Sequence, residues 1–118
     1  MYKQGDIIWV SYPFSDNPTM TKARPALVIS NEMSNNLDND LLIAQITSIL
    51  RKDRFSVMIT NESLSIPISQ ISEVRCNKIV TVRKDLILGK LSSLKMKKIL
   101  EVVAKVMECV EIKKSIEK

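Results

Sequence analysis

The chain has 118 residues, 45% hydrophobic and 26% charged, a composition that suits one globular domain with a real core. Its apolar stretches fall short of the roughly 20 residues that span a bilayer, and Met1 to Asp6 has no signal-peptide layout, so a cytoplasmic protein away from the membrane is expected. A net charge of +5 suits a polyanionic partner, and the absence of histidine removes both the commonest metal ligand and the usual neutral-pH proton shuttle.

In chain order, Gly5-Asp6 reads as a turn into Ile7 to Tyr12, whose β-branched and aromatic residues suit a first strand that Pro13 ends. Residues 13 to 23 are turn formers without apolar period and read as a loop able to act as a lid. A second strand is expected over Pro25 to Ser30, with Pro25 in its first position, followed by a polar connection from Asn31 to Asp40. Leu41 to Ile49 makes a third strand, Arg51 to Arg54 a charged hairpin tip, Phe55 to Thr60 a fourth strand and Asn61-Glu62 a turn.

Ser65 to Ile71 and Ser72 to Val82 supply one or two further strands, and Leu86 to Leu91 a short strand or helical turn. From Leu94 the period changes. Ile99, Val103, Val106 or Met107, and Val110 recur at helical spacing, with charged residues opposite, and Ser92 or Ser93 is placed to cap the N-terminus. Short strands followed by one amphipathic helix favour a small twisted β-barrel with a helix packed on it, a single domain over residues 1–112 with a charged, frayed tail at 113–118. Cys76 and Cys109 are too few and too far apart for a zinc site or a disulfide framework and read as reduced, semi-buried thiols.

Three apolar runs end on groups suited to a phosphate: Arg24 before Pro25 to Ile29, Thr47-Ser48 after Leu41 to Ile46, and Arg75 after Ile66 to Val74. Each also has a plain reading, as a solvated strand edge or a turn starter. With one tryptophan, two tyrosines and two phenylalanines, an extended base-stacking platform is not expected, and Trp9 reads as core or dimer packing.

Gly5-Asp6-Ile7-Ile8-Trp9-Val10, Arg24-Pro25-Ala26-Leu27-Val28-Ile29-Ser30, Ala44-Gln45-Ile46-Thr47-Ser48, Val74-Arg75-Cys76-Asn77-Lys78-Ile79 and Gly89-Lys90-Leu91-Ser92, in that order, resemble the MazF/PemK family of bacterial toxins. The resemblance covers nearly the whole chain. It implies an SH3-like barrel, a homodimer, cleavage of single-stranded RNA with neither metal nor cofactor, and neutralisation by an antitoxin with an acidic, flexible tail. It also implies attack by the RNA's own 2'-hydroxyl on the adjacent phosphorus, leaving 2',3'-cyclic phosphate and 5'-hydroxyl ends.

By the same resemblance Arg24 and Arg75 would hold the phosphate, with Thr47 and Ser48 fixing it or the flanking sugar. Lys22, Gln70, Asn77, Lys78, Arg51, Lys52 and Arg54 would bind or steer the RNA. The family's acidic residue, a candidate base, is matched here by Asn77, which accepts no proton; Glu73, two residues before Arg75, is the substitute expected, with Asp16 a weaker one. Two other functions fit the same barrel: a non-enzymatic toxin binding DNA gyrase, as CcdB toxins do, or a basic barrel that binds nucleic acid without cutting it.

Overall fold

Ile7-Ile8-Trp9-Val10 offers no polar residue on either side of a strand, and the fold accounts for this by covering both faces. The computed structural model describes residues 1–13 and 21–113. Six strands, β1 (Asp6–Pro13), β2 (Thr21–Val28), β3 (Asp40–Thr47), β4 (Ser56–Ile59), β5 (Ser72–Arg83) and β6 (Ile87–Ser93), form one antiparallel sheet in the order β4-β5-β3-β2-β1-β6. Ile7, Leu27, Ala44, Ile46, Val57, Ile59 and Val74 meet on one face; Ile8, Val10, Ala26, Val28, Leu41, Ile43 and Val82 meet on the other. Alternate side chains of each central strand therefore enter different cores.

The first core is closed by α2 (Met96–Cys109), through fully buried Val102 and the partly buried Ile99 and Val106. Helical spacing had placed Val103 in this row, but the buried stripe is shifted by one residue and Val103 stays at its margin. Neither serine caps α2. Lys95 is the N-cap, without a side-chain bond, while the Ser92 hydroxyl bonds both backbone groups of Ile66 and the Ser93 hydroxyl bonds Asp6.

Those serine bonds serve barrel closure. The edge strands β4 and β6 share no ladder, so the barrel remains open, and the segment between β4 and β5 fills the gap. It does so with a single bridge, Leu64 to Leu94, the bond from Ser65 N–H to Ser93 O at 2.9 Å, and the Ser92 hydroxyl. The strand expected over Ser65 to Ile71 is thus a strap beside β6, and its polar backbone is satisfied by serines in place of a partner strand.

Three further differences from the sequence reading matter for the site. The connection after β2 contains a four-residue helix, α1 (Glu32–Asn35), capped by the Asn31 side chain accepting the Ser34 N–H at 3.0 Å. Thr21 to Ala23, expected in the loop, and Arg24 extend β2 and pair with Pro13 to Val10. In β5 the pairing steps from Ala44–Ile79 to Gln45–Arg75, so residues 76 to 78 have no β3 partner and form a wide bulge. The expected lid and tail fall largely on residues 14–20 and 114–118, outside the described residues.

Candidate functional site

Pro25 is the fifth residue of β2, not its first, and its position decides where the sheet opens. Gly5 N–H donates to Val28 O and Ile29 N–H donates to Leu42 O, so along β2 the even-numbered residues address β1 and the odd-numbered ones β3. Pro25 is therefore due to bond β3 and has no N–H to do so. The β2–β3 ladder accordingly stops at Ala26–Gln45, and the strands part.

The fork is a cleft of about 580 Å³. Lys22 and Arg24 line it from β2, Thr47 and Ser48 from the end of β3, Trp9 from β1, and Gln70 from the strap. Ile7, Ile46 and Leu91, at the margin of the first core, form its floor. Three of the four residues expected around the phosphate, from two separate stretches of chain, thus share one cavity. Arg24 and Ser48 are exposed, and the Thr47 oxygen accepts the Ile49 N–H at 3.1 Å, which leaves its O–H free to donate into the cleft.

Trp9 was expected as packing. Its strand partners are Pro25 on one side and Gly89 on the other, neither with a large side chain to cover it, so the indole stays 37% exposed at the cleft. The signal for this lay in pairing, which the sequence does not display. Tyr12, packed against the second core, has its hydroxyl pushed up to about 12 by burial, against the pull of the Arg24 charge, so it stays protonated at neutral pH.

Arg75 and Glu73 do not line the cleft. They alternate with Val74, which points into the first core, and Glu73 is the direct cross-strand partner of Thr47, as Arg75 is of Gln45, so both sit against the end of β3. Glu73 is 1% exposed, and its two oxygens accept the N–H groups of Arg51 and Lys52 at 2.9 and 2.8 Å. Burial works to raise its pKa, but these donors and the Ser56 hydroxyl win and hold it below the usual carboxylate range. A carboxylate so engaged anchors the 51–54 loop, whose Lys52 has φ of 53°, and is not placed to take a proton from RNA. Arg75, 9% exposed, has a buried Nε without partner among the described residues; its charge, with Arg51, supports the ionised form of Asp53, which is held mainly by the Ser56 hydroxyl.

The bulge moves Asn77 as well. Two residues on from Arg75 in a regular strand it would share that face, but the pairing break at 76 to 78 removes the alternation, and Asn77 and Lys78 are exposed beyond the cleft lining. In the hairpin tip Arg54 pairs with Glu108 of α2, while Arg51 and Lys52 project into solvent. Asp16 lies outside the described residues, among which no carboxylate lines the cleft and no group of three His, Cys, Asp or Glu is placed to hold a metal ion. A shallower groove of about 670 Å³ beside α2 is lined by Glu108 and Glu111 together with Arg54 and Lys113, acids and cations in equal number.

Residues 3–110 match the family of PemK-like, MazF-like toxins of type II toxin–antitoxin systems. No curated protein sequence matches the chain. Among solved structures, an endoribonuclease in complex with its cognate antitoxin from a mycobacterial species superimposes with a TM-score of 0.77 at 17% identity, over 93% of this chain and 95% of that one. MazE–MazF from Deinococcus radiodurans gives 0.75 at 17% identity, over 92% and 95%. The Mycobacterium tuberculosis toxin MazF-mt6 gives 0.66 at 17%, over 86% and 93%.

Proposed function

Because the chain belongs to the PemK-like, MazF-like toxins of type II toxin–antitoxin systems, we propose that it is an endoribonuclease that cuts single-stranded RNA in the Pro25 fork. The observation that carries this reading is the meeting of Arg24, Thr47 and Ser48, with Lys22 and Gln70, in one cavity. These are donors without an acid among them, the set that an anionic phosphodiester requires.

The RNA 2'-hydroxyl gives its proton to hydroxide as its oxygen attacks the adjacent phosphorus, a new P–O bond closes the cyclic phosphate, and the bond to the 5'-oxygen breaks, that oxygen taking a proton from water. Charge accumulates on the non-bridging oxygens. Arg24 donates paired hydrogen bonds to them and remains charged throughout, while the Thr47 and Ser48 hydroxyls hold the same group. Trp9 offers its exposed face to a base, Gln70 its amide to a base or sugar, and Lys22, Arg51 and Lys52 draw the strand in by charge. Arg75 supports this at a remove, through the charge that helps keep Asp53 ionised in the loop after Ser48. Stabilisation by arginine and hydroxyls needs no metal.

Two partners follow. An antitoxin with an acidic segment would occupy the same donors and exclude RNA, and two of the structural neighbours are complexes with an antitoxin. A second copy of the chain would cover the apolar stripe of Met96, Leu100 and Met107 that α2 turns outward. The test is incubation of purified protein with single-stranded RNA in EDTA and identification of the ends. Cyclic phosphate and 5'-hydroxyl ends are expected, and Arg24→Ala, folded by circular dichroism, should lose about 100-fold or more in rate. Intact RNA, or a variant as fast as the wild type, overturns the proposal.

A further inference from the structure

Beside the cleft lies a second, smaller depression of about 260 Å³, formed where β4 ends and the strap begins. The two share Ile68, Ser69 and Gln70 as a common wall, so a strand running along the cleft passes the mouth of the smaller one. Their chemistry differs. The cleft has Lys22 and Arg24; the depression has no cation in its lining, and instead Glu62, Asn61 and Thr60 beside the apolar Ile68 and Ile71.

A phosphate would be repelled by Glu62, whereas a planar uncharged ring with amino groups finds apolar walls and a matched polar edge. Asn61 commits its Oδ1 to the Ile68 N–H at 3.1 Å, which leaves its NH2 group to donate. Glu62 is exposed and accepts only. One donor next to a bidentate acceptor is complementary to the Watson–Crick edge of guanine, whose O6 accepts and whose N1–H and N2–H groups donate together. Adenine presents one donor and one acceptor there and lacks the second donor, and uracil presents a single N–H.

We propose that this depression is a guanine-reading subsite, with the Glu62 carboxylate receiving N1–H and N2–H, that fixes which phosphodiester reaches Arg24. The proposal rests on the strand lying in the cleft as described above, but its test does not depend on cleavage. Fluorescently labelled thymidine octamers carrying one central guanine, or inosine, which lacks the N2 amino group, cannot be cut by 2'-hydroxyl attack, and their binding to the full chain is read by anisotropy.

The wild type should bind the guanine octamer about tenfold more tightly than the inosine one, the size of a lost bidentate base contact. Glu62→Gln should bring the two affinities within about twofold while leaving the all-thymidine octamer bound as before. Equal affinity of the wild type for guanine and inosine, retained discrimination in Glu62→Gln, loss of all-thymidine binding in that variant, or no binding of any octamer overturns the subsite. Guanine-selective binding by a protein that leaves RNA intact in EDTA upholds the subsite and overturns the nuclease.

Discussion

Pro25 is a residue whose absent N–H has a visible consequence twenty-odd residues further on: the end of β3 loses β2 as a partner, and Thr47, still paired with Glu73 of β5, and Ser48 share a cleft with Arg24. The same absence of alternatives governs the chemistry. With no histidine in the chain and no carboxylate lining the described part of the cleft, no imidazole or carboxylate there can serve as the base. The cleavage rate should therefore rise about tenfold per pH unit between about pH 6 and 9, following hydroxide. A plateau with its inflection in the carboxylate range, removed by Asp16→Asn, would instead identify an acidic base.

Glu73 shows how a titratable residue near an expected site can be structural. Its folded-state pKa is depressed, so the stability it contributes is present above the ordinary glutamate value near 4.3 and is lost as pH falls through the lower folded value. Glu73→Gln leaves a buried amide facing two N–H donors and should cost about 1–3 kcal/mol at pH 7 in urea unfolding. The gap between variant and wild type should close as the buffer is taken into the range where Glu73 is protonated. A constant gap at all pH values would mean that packing, not charge, accounts for the loss.

At the scale of elements, the turn before β1 is tied to the terminal helix through Gly5. Its φ is +96°, its N–H bonds Val28 and its carbonyl accepts the Leu94 N–H, so it joins β2, β1 and the approach to α2 at one point. A Cβ there would meet the Ile99 side chain. Gly5→Ala combines a left-handed backbone with that collision and should destabilise by roughly 1–3 kcal/mol; an unchanged urea midpoint would show that Ile99 repacks and the turn relaxes. The bulge in β5 works in the opposite direction, separating neighbours that sequence spacing had joined. Arg75 and Asn77 are two apart in sequence, yet only a regular strand would have set them side by side.

At the scale of the molecule, α2 has a second stripe. Met96, Leu100, Ala104 and Met107 follow helical spacing on the side away from Val102 and are exposed, Leu100 by 65%. Contiguous exposed apolar surface marks an interface, and the dimer proposed above would bury this one. Leu100→Glu should shift the protein from dimer to monomer in sedimentation without unfolding it. A wild type that sediments as a monomer, or a variant that remains dimeric, would move the dimer surface elsewhere.

Strand content, the terminal helix and the phosphate-suited groups Arg24, Thr47 and Ser48 were legible in the sequence, because alternation, helical period and donor chemistry are local properties of the chain. The family match over residues 3–110 bears out the family that the chain resembles. Which donors share a cavity was not legible. Trp9 reached the cleft through small strand partners, Arg75 and Glu73 were buried against β3 and the 51–54 loop instead of lining the cleft, and the open edge was closed by serines that looked like helix caps. Each outcome depended on register and strand pairing between segments tens of residues apart, and register is set by the summed packing of two cores. The chemical groups were therefore written in the chain, while their convergence was decided only when the sheet folded.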